Sequence, residues 1–577
     1  MPDAGLLTFQ DWSPDISAIA LPYATIATNV VPRQDGYGPF PSLVELTQAL
    51  PGPCRGCIFA RMADNTVVIF AGTATNLYLL NNTTFAWTNV SQGGGPYSAL
   101  ISTDNWQFAQ FNNLVIAVQE NVNPQVYNLG ISATFLDLGG TPPQASHIAI
   151  INRFIVLSGI LGFPNRVQWS DLNAPTTWTP GVGQADFQDL PDGGAVHDIR
   201  GGDQYGIIFQ DQSIRTLIYA PGSAVVFDIL RISTQDGIYG QYSSITAGDK
   251  VFFYSPQGFK MIQSGGYPTP IGKQRVDTTF FADLDTNNLQ LFIAGTDPMS
   301  TRVFWQYKSK SGAAGLADKM LVYDWALGDN GRWSTIVAQA SEFLTYLAKP
   351  GLTLEALDPI APGIITISVV AAGTAGRQRC TLVPGLTAGT PPSNTNLNIE
   401  NTVEVYNVTG GLTAGNFRFN IIDSTHIDLI GTTFTSTGTG SIGGSLDQLG
   451  FSLDTISAQA TVRLAAFDNN NALGFYSGPN LEAVLESSAQ DLLDRVWISF
   501  LRPMTDAPGC FGSLGLRDTA QSPVVYTAEQ VVNAQGLVPQ RAETRYAQAH
   551  LRIPFGTVWT YAQGVHAPDA VPGQGDR

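Results

Sequence analysis

The run Ile148-Ala-Ile-Ile-Asn-Arg-Phe-Ile-Val-Leu157 decides the fold class. Two short apolar runs flank a polar pair, and neither run is long enough for an ordinary helix, so the stretch reads as a β-hairpin. The same cue recurs along the chain. Asp64-Asn65 precedes an apolar run at 66–70, Asn112-Asn113 one at 114–118, Asp203-Gln204 one at 205–209, and Asp249-Lys250 one at 251–254. Second strands follow as regularly, at 166–169, 213–219 and 259–263.

Counted from the second residue of each pair, the units begin at 65, 113, 153, 204 and 250, spacings of 48, 40, 51 and 46. A period of this length with several strands per unit is the signature of propeller blades. Two weaker units follow, 301–307 with 320–324 and 342–347 with 352–357. A long β-sandwich would also give short strands at regular spacing and is the competing architecture.

Composition points the same way. Charged residues are 13% of the 577, beside 59 Gly and 35 Pro, which suits strands and tight turns better than long solvated helices. Hydrophobic residues at 44% and a mean hydropathy of +0.05 supply enough apolar material for cores. The net charge of −17 opposes a surface that grips nucleic acid, since that affinity comes mainly from Lys and Arg on phosphates; it does not oppose DNA passing by a repelling wall, and a simple soluble acidic surface is the competing reading. Four cysteines are too few for a disulfide scaffold of this length, which suggests assembly in a reducing compartment. No secretory signal is expected from Met-Pro-Asp-Ala-Gly-Leu-Leu. The apolar window 147–163, broken by Asn152 and Arg153, is too short to span a bilayer.

The expected fold is all-β: a β-propeller-like main domain with an inserted small β-domain and a C-terminal β-domain. Residues 1–45 read as an N-terminal arm, 46–357 and 450–489 as the propeller, 358–449 as the insert, and 490–577 as the C-terminal domain with a flexible tail. In the insert charge nearly vanishes while Gly, Thr, Asn and Val alternate, with strands expected at 402–408, 417–422 and 426–430. Its Val-Tyr-Asn-Val-Thr-Gly-Gly-Leu run resembles, in shape only, a small β-module of phage structural proteins that is similar to the first catalytic-cysteine half-domain of ubiquitin-activating enzymes. Cys380 is expected to pack rather than react. A hairpin is expected around Asp468-Asn469-Asn470, and C-terminal strands at 495–501, 523–526 and 545–554.

Motifs for chemistry are weak. Cys54-Arg-Gly-Cys57 has metal or redox spacing but no second pair nearby, so no metal site is expected. His147 and His550 alternate with apolar residues as strand residues do, whereas His197, His426 and His566 sit near turns without an evident partner. Asp186, Asp189 and Asp192 could supply paired carboxylates for glycan cleavage, but Pro-Asp-Gly is a turn tripeptide and turn structure is preferred. There is no Gly-x-Ser-x-Gly elbow, Walker loop, HExxH or dinucleotide fingerprint, though one sequence leaves a Ser/His/Asp triad open. No catalytic, cofactor-binding or metal residue is assigned, and the protein is expected not to be an enzyme.

Several ordered runs do resemble one family. They are Val167-Gln-Trp-Ser-Asp171 with Pro175-Thr-Thr-Trp178, Leu190-Pro-Asp-Gly-Gly-Ala-Val-His197, Gly206-Ile-Ile-Phe209, Pro270-Ile-Gly272 with Val276-Asp277, Gly478-Pro-Asn-Leu-Glu-Ala483, and Tyr546-Ala-Gln-Ala-His-Leu-Arg-Ile-Pro554. Together they cover roughly two thirds of the chain in their span and resemble the nozzle, or tail-hub and packaged-DNA stabilisation, proteins of short-tailed bacteriophages. The resemblance implies a structural virion protein in the tail, assembled in the host bacterial cytoplasm. It implies a homohexamer below the portal-adaptor (head-tail connector) ring, carrying a tail needle, tailspikes or fibres. Duplex DNA would pass through the lumen without specific binding and be retained until ejection. The family likeness transfers no individual side chain. The competing function is a receptor-binding or decoration protein whose exposed aromatics, with Trp178 and Trp325 as candidates, stack on host surface glycan. A propeller glycosidase is disfavoured by the absence of the Ser-x-Asp-x-Gly-x-Thr-Trp repeat.

Overall fold

A computed structural model describes residues 6–19, 22–82, 84–223, 225–328, 330–348, 365–383, 402–423, 425–443, 462–567 and 571–572. The chain is all-β, with a propeller-like main body that begins as five successive four-stranded antiparallel sheets. Blade 1 is Cys57–Arg61, Val67–Gly72, Leu77–Leu80 and Trp87–Asn89; blade 2 is Gln107–Phe111, Leu114–Gln119, Val122–Asn128 and Leu136–Asp137. Blade 3 is Ala145–Ile151, Phe154–Ile160, Phe163–Trp169 and Asp186–Asp189; blade 4 is Val196–Arg200, Tyr205–Gln210, Ile214–Tyr219 and Phe227–Ser233. Blade 5 is Ile245–Ala247, Lys250–Ser255, Gly258–Gln263 and Thr269–Pro270.

The turn pairs explain the register. Asn65, Asn112, Asn152 and Arg153 all have positive φ, between 44° and 69°, which lets the chain reverse with the twist of the flanking strands. Ile151 and Phe154 face each other across the Asn152-Arg153 turn, as do Phe111 and Leu114 across Asn112-Asn113.

Two further four-stranded runs complete the ring. Blade 6 is Ile293–Asp297, Arg302–Tyr307 and Ala317–Asp324, pairing in succession with the first part of the long strand Arg332–Ala348. The second part of that strand, from Ser341, is the first strand of blade 7, which continues through Val462–Asp468 and Leu473–Asn480 and ends on Pro41–Glu45. The N-terminal strand Pro41–Glu45 therefore closes the last blade. Blade 7 meets blade 1 through Tyr346 edge-on to Phe59 (6.3 Å) and the Cys54 N–H donating to Glu342 Oε2 (3.1 Å). Shared cores join the first five blades in turn: Phe70, Trp106 and Tyr127 between blades 1 and 2, Ile155 and Trp178 between 2 and 3, Trp169 and Phe227 between 3 and 4, Phe209 and Phe253 between 4 and 5.

The two chain ends form one sheet. Ala24–Thr28 pairs with Ala483–Ser487, which pairs with Val538–Ile553; that strand also pairs with Gln490–Thr505 and Phe511–Arg517. Leu6–Thr8 pairs with Ala562–His566. Its core, including Phe9, Trp12, Leu485, Leu514, Leu551 and Trp559, is continuous with Phe252, Trp305 and Trp333 of blades 5 and 6. This revises two of the expected boundaries. Residues 1–45 are not a separate arm and 490–577 are not a separate domain, because each buries its apolar face on the other and on the propeller; 1–348 and 462–577 make one compact unit.

The second unit is 349–461. Within it Ile365–Ala372, Gln378–Val383, His426–Leu429, Gly415–Asp423, Thr402–Gly410 and Gly438–Gly443 close into a six-stranded barrel around Ile367, Val370, Cys380, Val405 and Leu429. Cys380 is wholly buried in that core. The strand expected at 352–357 and most of the expected flexible tail lie outside the described residues.

Candidate functional site

Residues just ahead of the inner strands converge on the propeller axis. Arg55 precedes blade 1, Asp104 and Asn105 precede blade 2, Gln241 and Tyr242 precede blade 5, and Gln290 precedes blade 6. Arg55 Nε donates to Asn105 Oδ1 (2.8 Å), the Asn105 backbone N–H donates to Tyr242 Oη (2.7 Å), and Asn105 Nδ2 donates to the Gln290 carbonyl (3.2 Å). Gln241 Nε2 donates to the Thr103 carbonyl (3.0 Å) and Asp104 Oδ1 (3.2 Å). Blades 2 and 5 are not neighbours, so these bonds cross the ring and plug its axis. Burial raises the Tyr242 phenol well above its usual range, with Asp104 adding to it, and also lowers the Arg55 guanidinium.

A second polar group lies on the inner strands. His147 of blade 3 and Asp198 of blade 4 are each 2% exposed, with Nδ1 3.8 Å from Oδ1. Asp198 Oδ2 accepts from Arg200 Nε (2.9 Å) and from the Ser244 hydroxyl. Burial pulls His147 down to about 3, helped by the nearby His197 and Arg200, so the imidazole is neutral at ordinary pH. Ser158, directly opposite His147 in the blade, is also buried, and among the described residues neither its Oγ nor His147 Nδ1 has a hydrogen-bond partner. Ser, His and Asp thus come together, but the His–Asp contact is beyond hydrogen-bond length and the group is sealed from solvent. It has neither the linkage nor the access that nucleophilic catalysis uses.

The structure separates the other acids and histidines. Asp189 takes a two-pronged bond from Arg166 (2.7 and 3.0 Å), whose guanidinium lies over Phe163 (4.1 Å) and Phe187 (3.8 Å); the arginine holds the carboxyl below its usual range. Asp192 sits in the turn Pro191–Gly193 and pairs with Arg215 and Arg231, while Asp186 accepts from the Phe187 N–H (2.9 Å). The three acids serve three sets of partners. His197 Nε2 meets Asp211 (2.6 Å) and His426 Nδ1 meets Asp423 (2.8 Å), partners that the sequence does not reveal. His566 is a strand residue opposite Leu6 and Arg502.

Cys54 is buried and Cys57 half-buried, both as free thiols, and burial pushes the Cys54 thiol well up. Among the described residues no group of His, Cys, Asp and Glu is arranged to hold a metal. Glu342 beside Cys54 is pushed up to about 7 by burial and then by the Asp468 charge.

Sequence reasoning missed a buried network in the terminal sheet. Glu486 accepts from Thr25 Oγ1 (2.9 Å), Tyr526 Oη (2.8 Å) and Gln548 Nε2 (2.5 Å), and meets His550 Nδ1 at 3.2 Å. The other ring nitrogen of His550 is 3.6 Å from Glu529. Thr25, Gln548 and His550 lie 461, 62 and 64 positions from Glu486, with no local spacing to announce them.

Of the two tryptophans proposed as glycan platforms, Trp178 is 2% exposed and its Nε1 donates to the Pro175 carbonyl (2.8 Å), which makes it a blade-packing residue. Trp325 is half-buried and lines a cavity of 350 Å³. No helix among the described residues is long and apolar enough to cross a membrane.

No family model matches the chain, and no curated protein does. Solved structures with a similar arrangement include the Neurospora crassa Pan2 WD40 domain, at 11% identity and a TM-score of 0.32 over 54% of this chain and 90% of that one. The extracellular domain of a hybrid two-component system from B. thetaiotaomicron aligns at 9% identity and a TM-score of 0.36, over 60% of this chain and 45% of that one. The computationally designed Ika8 protein aligns at 11% identity and a TM-score of 0.30, over 51% of this chain and 90% of that one. At such scores the propeller assignment stands on the strand pairings described above.

Proposed function

We propose that this chain is a structural subunit of a short-tailed phage virion: a nozzle or tail-hub ring below the portal adaptor, docking needle or fibres and enclosing the DNA ejection path. The reading starts from the ordered sequence runs quoted above. The observation that carries it furthest is the plugged propeller axis, where Arg55, Asn105 and Tyr242 are bonded across the ring. A duplex about 20 Å wide has no route through such a subunit, so a conduit built from it must lie between copies. The quoted runs also have building work to do. Asp171 accepts from the Leu172 and Gln184 N–H groups (both 2.8 Å), and Asp277 accepts from the Phe259 N–H (3.0 Å). They hold turns and sheet ends in a rigid scaffold.

The test is native mass spectrometry with negative-stain imaging of the 61.7 kDa chain, alone and with a candidate adaptor protein. A sixfold ring with a central hole of roughly 20 Å or more is the expected result. A monomer or trimer in both conditions overturns the reading. A receptor-binding role is the second reading, favoured by the half-buried Trp325 in the lining of a cavity; a glycan array without hits would remove it.

A further inference from the structure

The cavity beside Trp325 has walls of unequal chemistry. Trp325 follows the strand Ala317–Asp324 and is fixed by its backbone N–H donating to the Thr301 carbonyl (3.1 Å). Its ring is backed by the buried Phe252, with centroids 5.3 Å apart and planes 35° apart. Tyr323, which donates to the Asn330 carbonyl (3.0 Å), and Met261 complete an apolar floor. The lining also holds three cations, Lys250, Lys273 and Arg275. Arg275 is consumed by Asp11 and by the Asn330 and Gly331 carbonyls (both 2.7 Å), and Lys250 Nζ sits on Asp249 (2.8 Å). Lys273 is exposed, with no ion pair or hydrogen bond among the described residues.

We infer that this cavity is a binding site for an acidic saccharide: a pyranose seated on Trp325, its carboxylate directed to Lys273. The volume of 350 Å³ falls at the small end of ligand sites, room for about one or two sugar rings. A half-buried indole with a rigid aromatic behind it offers a flat apolar face at low entropic cost, which suits the C–H face of a pyranose. One uncompensated cation in a chain of net charge −17 selects for an anion there. A phosphate ester is a poorer fit, because the one guanidinium in the wall is already fully bonded and cannot offer its fork.

This inference does not depend on the ring reading; it deepens the receptor-binding reading at the same cavity by naming the ligand class. The test is ligand-observed NMR with the full chain and a panel of glucuronate, galacturonate, N-acetylneuraminate and 3-deoxy-octulosonate, against methyl glucoside as the neutral control. At least one acidic sugar should bind at millimolar concentration, more tightly than the neutral control, and K273A should weaken it by about fivefold, the worth of one partly exposed ion pair, while leaving the control unchanged. W325L should abolish both. Equal binding of acidic and neutral sugars, indifference to K273A, or no binding by any panel member at about 20 mM each overturns the inference. Native mass spectrometry of K273A runs in parallel, so that loss of the ring and loss of the sugar are read separately.

Discussion

Blades 1 to 5 and the sheet made by the two chain ends use the same kind of strand but assemble over very different distances. In the blades, partners are joined by turns of a few residues, as Ile151 and Phe154 are. In the terminal sheet Thr28 pairs with Val484, and Leu6 with His566. Local pairing closes short loops at small entropic cost, whereas the terminal sheet repays its long closures only through burial of Phe9, Trp12, Leu485, Leu551 and their neighbours. The ring shows the same dependence at one point, where Pro41–Glu45 supplies the outer strand of blade 7. The chain ends are thus structural closures for both regions.

Removing residues 1–45 would break that comparison most severely. It strips the last blade of a strand and deletes buried Phe9, Trp12, Tyr37 and Phe40, each worth about 1.5–3 kcal/mol of burial against a typical total stability of about 5–15 kcal/mol. No cooperative thermal transition should remain by circular dichroism. A protein that melts cooperatively near the wild-type temperature would mean that the ends are ornaments. Next in size is Trp333→Ala, at the join between propeller and terminal sheet. The ring is wholly buried, stacked on Trp305 at 5.8 Å, and its Nε1 donates to the Ile271 carbonyl (3.3 Å). The loss should be about 3–5 kcal/mol in urea unfolding at neutral pH.

A pH experiment sharpens the contrast within the ring. His147 is held at about 3 by burial, so the unfolded chain takes up a proton more readily than the folded one. Its contribution is complete above about pH 6.5 and is lost as pH falls toward 3, amounting to about 3 kcal/mol at pH 4. His147→Leu, at a site whose Nδ1 has no hydrogen-bond partner among the described residues, should lose less stability than the wild type between pH 7 and pH 4. Equal losses would place the acid sensitivity elsewhere. The smallest effect is expected from the insert. Ala348 and Val462 face each other across the blade 7 ladder, so a two-residue Asn-Gly turn can replace 349–461 and make an ordinary hairpin. The melting temperature of the remaining unit should move by no more than about 2–4 °C.

What the sequence disclosed follows the same division. Asn112-Asn113 and Asn152-Arg153 announce their turns because positive φ restricts residue type, and the apolar runs beside them match Leu114–Gln119 and Phe154–Ile160 closely. The pairing of 24–28 with 484–487 leaves no such mark, because register between distant strands depends on faces rather than turn chemistry. Residues 523–526, expected as a full strand, form only the two-residue strand Val525–Tyr526, whose tyrosine is drawn to Glu486. The axial plug was equally hidden. Arg55, Asn105 and Tyr242 look like ordinary loop residues until the ring brings their loops together. Of Asp186, Asp189 and Asp192, expected as turn residues, only Asp192 sits in a turn, Pro191–Gly193; Asp186 and Asp189 are the two ends of the fourth strand of blade 3, paired with Trp169 and Arg166.

The central functional claim is that a conduit runs between copies of this chain and not through any one of them. Cryo-electron microscopy of the assembled tail, with its DNA in place, tests it most directly. The account predicts six propellers around a lumen that holds the duplex, each with its own axis closed by Arg55, Asn105 and Tyr242. Density for this chain as a peripheral trimer or monomer away from the DNA path, or an open propeller axis, would contradict it.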